Sequence, residues 1–134
     1  MNNSMKNILG IDFGTTYIGL AWMQEGLDLV LPFGRIAVGD KRVPDQLLEL
    51  LKKEHIDEIV LGLPITLDDG SENANTKKVR EFAEELTRLS SLPLIFVDER
   101  LTSFEADDMG GTVSRDERAA MVILQSYQSS GGMS

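Results

Sequence analysis

Cysteine is absent from the 134-residue sequence, and histidine occurs once, at position 55. Disulfides and thiolate metal sites are therefore excluded, and a zinc site built on histidines would lack its ligands. A chain that uses no disulfide is expected in a reducing compartment, here the cytoplasm. Long apolar runs are missing too: nothing approaches the roughly 20 residues that a spanning helix needs. The opening segment Met1-Asn2-Asn3-Ser4-Met5 is polar and offers no apolar signal region. Positive charge is scarce, with 13 Lys and Arg against 22 Asp and Glu and a net charge of −9. A broad nucleic-acid-binding surface is disfavoured by that balance, because phosphate contacts need clustered Lys and Arg. The objection weakens if part of the acidity is a carboxylate cluster that becomes useful once metal is bound.

What is present fits one domain. The hydrophobic fraction of 42% is ample for a continuous core, and the length is that of a single unit. No repeat, low-complexity tract or linker interrupts residues 5–128, and residues 129–134 are expected to form a flexible tail. Ile8–Phe13 reads as a strand buried on both faces, since both alternating sets are apolar or small until Asp12. Gly14-Thr15-Thr16-Tyr17 is turn-like, Ile18–Met23 is a second strand, and Leu27–Val38 a third, broken by Pro32 and Gly34. Pro44 suits the first turn of a helix to about Lys53 with Leu47, Leu50 and Leu51 buried. Glu58–Leu63 is another buried strand, and 68–73 is a polar loop. Val79, Phe82, Ala83, Leu86 and Leu89 mark an amphipathic helix, and Leu94–Val97 a short strand that runs into Asp98-Glu99-Arg100. Capping boxes at Thr102/Glu105 and Ser114/Glu117 open a short helix and the last helix. Five strands interleaved with helices predict an α/β fold: a mixed sheet with helices on both faces.

Asp12 lies at the C-terminal end of the most hydrophobic strand, where α/β proteins commonly place ligand sites. A carboxylate there stays ionised only beside metal, donors or water; as an alternative it caps the turn before Gly14. In the last helix, Ala120, Ile123, Leu124 and Tyr127 form the core stripe, and Asp116 falls four residues before Ala120 on the same inward face. Glu117 already meets the helix dipole's preference for an acid, so an unpaired inward Asp116 points to function. Asp98 and Glu99 end a strand and should point to opposite faces. One of them is expected at the site; the other pairs with Arg100 or caps backbone, and the spacing does not choose between them. Three carboxylates from two strand ends and a helix start make an oxygen-only site suited to Mg²⁺ or Mn²⁺. Such ions serve phosphodiester hydrolysis. His55, alone after a helix, reads as a solvated turn residue, and no Ser, Cys or His arrangement offers a rival nucleophile.

These residues also carry a resemblance. The segments are Gly10-Ile11-Asp12-Phe13-Gly14-Thr15, Ile18-Gly19-Leu20-Ala21, Asp57 to Pro64, Asp69-Gly70-Ser71 and Val79-Arg80-x-Phe82-Ala83. Asp98-Glu99-Arg100-Leu101-Thr102-Ser103-x-x-Ala106 and Asp116-x-x-Ala119-Ala120-x-x-Ile123-Leu124 complete the set. Together they span about residues 6–128 and resemble the YqgF/RuvX family, pre-16S rRNA nucleases formerly called Holliday junction resolvases. The resemblance implies an RNase H-like fold and catalytic acids at Asp12, Asp98, Glu99 and Asp116, with Asp12, Glu99 and Asp116 as metal ligands. It implies 5′-end maturation of small-subunit ribosomal RNA, with pre-rRNA, structured DNA or a ribosomal precursor particle as partners. Arg80 and Arg100 are expected along the phosphate path, although Arg100 could instead orient Asp98 or Glu99. Thr15 and Thr16 can present backbone N–H groups to phosphate. Three departures stand out: Thr16 and Tyr17 replace the family's basic first loop, the 107–111 stretch is short, and the chain is unusually acidic. Three rival readings remain: a Holliday junction resolvase, a non-catalytic ribosome-assembly module, and an ATP-binding domain. The last is suggested by the likeness of Gly10–Thr16 to the first phosphate loop of the Hsp70, actin and sugar-kinase superfamily.

Overall fold

The computed structural model describes residues 5–14, 16–27, 29–38, 43–63, 74–98 and 114–130. Strands β1 (Asn7–Phe13), β2 (Tyr17–Gln24) and β3 (Val30–Ala37) form an antiparallel meander. Strands β4 (Glu58–Leu63) and β5 (Leu94–Asp98) add in parallel on the other side of β1, giving the order β3-β2-β1-β4-β5. Helices α1 (Val43–Lys53), α2 (Ala74–Ser90) and α3 (Arg115–Ser130) complete the described elements. The expected mixed five-stranded sheet is therefore present.

The pleat sorts side chains alternately to the two faces, and each face has its own core. Leu9 and Ile11 of β1, Ile18 and Leu20 of β2, and Ile59 and Leu61 of β4 pack with α1 and α2. The opposite set, Ile8, Ala21, Met23 and Val60, packs under Ala120, Ile123 and Leu124 of α3. Helices thus cover both faces, which explains why β1 and β4 read as unbroken apolar runs. Helix α3 sits close to the sheet: a Cβ added at Gly10 would come 2.5 Å from Cγ of Leu124.

Several expectations need correction. The third strand starts at Val30 rather than Leu27, and it runs through Pro32 and Gly34 instead of breaking there. β3 is an edge strand, where proline costs least because half of its backbone groups face away from the ladder. The irregularity appears as a register shift opposite Gly19 and Ala21. Leu89 is 38% exposed, because steps of three carry it roughly 70° off the centre of the α2 stripe. Leu50 is only partly buried, whereas Leu47 and Leu51 are core residues as expected. His55 is an exposed turn residue with φ of 55°. The 68–73 loop and the helix opened by Thr102 and Glu105 lie outside the described residues. No helix among the described residues is long and apolar enough to cross a membrane.

Candidate active site

Strand register builds the site. Asp12 shares the α3 face of β1 with Ile8 and Gly10, is half-buried, and stands directly opposite Gly19 of β2. Gly19 in turn stands opposite Arg35 of β3. Cross-strand partners share a face, so Asp12, Gly19 and Arg35 form one row across three adjacent strands. The middle of that row has no side chain, and the gap is filled from above. A Cβ at Gly19 would collide with the carbonyl group of Asp116, in the first turn of α3. The backbone of Asp116 therefore rests on Gly19, with Asp12 on one flank and Arg35 on the other.

The carboxylate of Asp116 is not the unpaired, inward-facing acid that helical spacing suggested. Its side chain is 30% exposed, and Oδ2 accepts a hydrogen bond from Nη1 of Arg35 at 3.3 Å. Arg35 also lies over the ring of Tyr17, 3.8 Å from its centroid. Helical periodicity placed Asp116 on the correct side of α3 but could not supply a partner from a different strand.

Glu117 fixes the start of α3. Its Oε1 accepts hydrogen bonds from the Ser114 backbone N–H (3.3 Å) and hydroxyl (3.0 Å), and the Glu117 N–H donates to Ser114 Oγ at 3.2 Å. This is the capping box expected from the sequence. Its Oε2 does something further and accepts the Gly34 N–H at 2.6 Å. Gly34 has φ of 93°, a conformation open to glycine at little cost, and through it β3 is tied to α3. Partial burial pushes the Glu117 carboxyl up. The Gly34 and Ser114 hydrogen bonds and the nearby Arg35 charge outweigh burial and leave it below its ordinary value.

The remaining expected residues divide. Asp98 ends β5 in register with Leu63. Thr16 is exposed, and its carbonyl accepts the Val38 N–H at 2.9 Å. Arg80 is exposed on α2, with its guanidinium 5.2 Å from the centroid of Phe96. Phe96 packs with the α1–α2 core, so Arg80 is on the opposite sheet face from α3 and is not brought to Asp12 and Asp116. Thr15, Glu99 and Arg100 lie outside the described residues. Among the described residues no three acidic side chains form a metal cluster. Sequence reasoning missed Arg35 and Tyr17. The available signal was that Arg35 is the one Lys or Arg between positions 7 and 40.

A mixed five-stranded sheet in the order β3-β2-β1-β4-β5 with helices on both faces, and Asp12 at the C-terminal end of its central strand, defines an RNase H-like α/β fold. Thermus thermophilus RuvC shares this fold, with a TM-score of 0.61 at 13% identity over 91% of this chain and 95% of that one. T. thermophilus RuvC in complex with a Holliday junction gives 0.60 at 11% identity, over 94% and 96%. The RuvX family model, described as Holliday junction resolvase, matches residues 6–130, and the chain belongs to that family. A protein of Maridesulfovibrio salexigens is 36% identical over 90% of this chain and 96% of its own length. One from Chlamydia pneumoniae is 36% identical over 93% and 91%. Both carry the name "Putative pre-16S rRNA nuclease".

Proposed function

We propose that the protein is a metal-dependent endonuclease that hydrolyses phosphodiester bonds of RNA, acting in the cytoplasm in 5′-end maturation of pre-16S rRNA. The observation that carries the reading is the seating of Asp116 on Gly19, in register with Asp12, which gathers two acids from β1 and α3 at one strand end. Family membership and the relatives' names support the same class of chemistry.

The donor set fits a hard divalent cation. Only carboxylate oxygens are on offer, with no thiolate or imidazole, and this favours Mg²⁺ or Mn²⁺. Asp12, Asp116 and Glu99 are the proposed ligands. Such an ion, when bound, supplies activation of water and stabilisation of the leaving oxygen. The chain itself contributes orientation: the Ser114–Glu117 box and the Gly34 tie hold the helix start that carries Asp116.

The test compares cleavage of a pre-16S 5′ leader, an unrelated single-stranded RNA and a four-way DNA junction, with Mg²⁺, Mn²⁺ or chelator. Leader cleavage that needs the metal and is lost in Asp12→Asn and Glu99→Gln is expected. Junction cleavage alone would reassign the substrate, and no cleavage of any substrate by folded protein would favour a non-catalytic assembly module.

A further inference from the structure

We propose that Arg35 is a substrate-positioning residue of this site, binding a phosphate of a single-stranded RNA; the inference rests on the nuclease reading above. The guanidinium stands at one end of the Asp12–Gly19–Arg35 row, beside Asp116, with 44% of its side chain exposed. Tyr17 supports one face at 3.8 Å, and Asp116 engages Nη1 at 3.3 Å. Among the described residues this is its one hydrogen bond to the protein, out of five N–H donors that an arginine carries.

A structural purpose explains little of this. An ion pair this exposed adds little to stability, and the capping of α3 is already done by Ser114 and Glu117. The electrostatic need is plain. With a net charge of −9, the domain repels a polyanion over most of its surface, so binding requires a cation placed where the strand must pass. A guanidinium matches a phosphate with two parallel hydrogen bonds. Stacking on Tyr17 fixes the plane of that fork beforehand, which reduces the ordering cost on binding. Asp116 keeps the cation balanced until a phosphate arrives.

The experiment measures affinity for a short fluorescent single-stranded RNA across a salt series, with Ca²⁺ replacing Mg²⁺ to hold back cleavage. A four-way DNA junction is run alongside, and circular dichroism checks folding. Arg35→Gln should weaken RNA binding roughly tenfold, as expected for one charge-assisted contact. It should also flatten the salt dependence by about 0.7 in slope, one phosphate's share for a single strand. Arg35→Lys should keep the slope but lose part of the affinity, because charge is retained without the planar fork. If Arg35→Gln does not fold, Arg35→Lys carries the test, and an unchanged affinity in it would overturn the inference. Wild-type protein that binds RNA while Arg35→Gln matches it in affinity and slope would overturn the inference alone. Wild-type protein that binds neither probe overturns the nuclease reading and this inference with it. Binding of the junction alone, weakened by Arg35→Gln, overturns the RNA assignment.

Discussion

Replacing Gly19 by alanine adds one methyl group at the place where helix and sheet are closest, and the structure says what that methyl would strike. The added Cβ falls on the carbonyl carbon and oxygen of Asp116, which are backbone atoms in the first turn of a helix and cannot rotate away. Relief requires moving the N-terminus of α3 or bending β2. Overpacking of this kind costs about 1–3 kcal/mol. For a chain of this size that is a fall in Tm of roughly 3–15 °C. The functional loss should be larger than the stability loss. A displaced helix start carries Asp116 away from Asp12, and about 1 Å of misplacement in a catalytic group can cost on the order of 100-fold in rate.

Gly10→Ala is the matched control. Its Cβ meets Cγ of Leu124 at 2.5 Å, a side-chain atom that can shift, and one that lies two turns of helix away from Asp116. Gly10→Ala should therefore lose less stability than Gly19→Ala, and only Gly19→Ala should lose most of its metal-dependent cleavage at temperatures where both are folded. Thermal melts followed by calorimetry, and kcat/KM on the leader RNA, give the two numbers. If Gly19→Ala retains wild-type Tm and wild-type kcat/KM, the seating of Asp116 on Gly19 is wrong, and with it the geometric basis of the site.

Asp12→Asn should abolish the rise in Tm that Mn²⁺ gives the wild type, a gain of about 2.7 kcal/mol at a metal concentration 100 times Kd; thermal shift with and without Mn²⁺ reads it. Glu117→Gln should flatten the acid limb of the stability curve. A carboxyl held below its ordinary 4.5 in the folded state contributes fully above that value and loses its contribution as pH falls through the lower folded value, so urea melts below pH 5 should show wild type and variant converging. Tyr127→Phe removes the hydrogen bond to Oε2 of Glu58 (3.2 Å), a residue only 6% exposed. It should cost about 1–3 kcal/mol in chemical denaturation without changing cleavage, since it acts at the far end of α3.

The elements that the sequence announced best are those whose pattern is set by their own neighbours in the chain. β4 has the predicted bounds because its six residues are all buried, and the Ser114–Glu117 box forms because both partners lie within one helical turn. Position 12 was legible for the same reason, as an acid at the end of an apolar strand. Asp116 was half legible: helical angle gives the side of α3 but not the partner. The Arg35 pair spans 81 residues in sequence and the Gly34 tie spans 83. Neither follows from any local period. They follow from register, and the register of β2 with β3 contains a shift that no alternation rule places in advance.

That register also bears on the acidity that argued against a nucleic-acid enzyme. A bare count of 22 acids against 13 bases treats charge as spread over a surface, whereas binding depends on sign at the point of contact. Asp12 and Arg35 share one row of the sheet, with Asp116 paired to Arg35, and in the proposed site a divalent ion would balance the acids while the arginine remained for phosphate. Glu117, though adjacent, is turned into backbone hydrogen bonds from Gly34 and Ser114, so its charge is absorbed by donors. On this arrangement the surface can be strongly anionic and still admit an RNA backbone at one place.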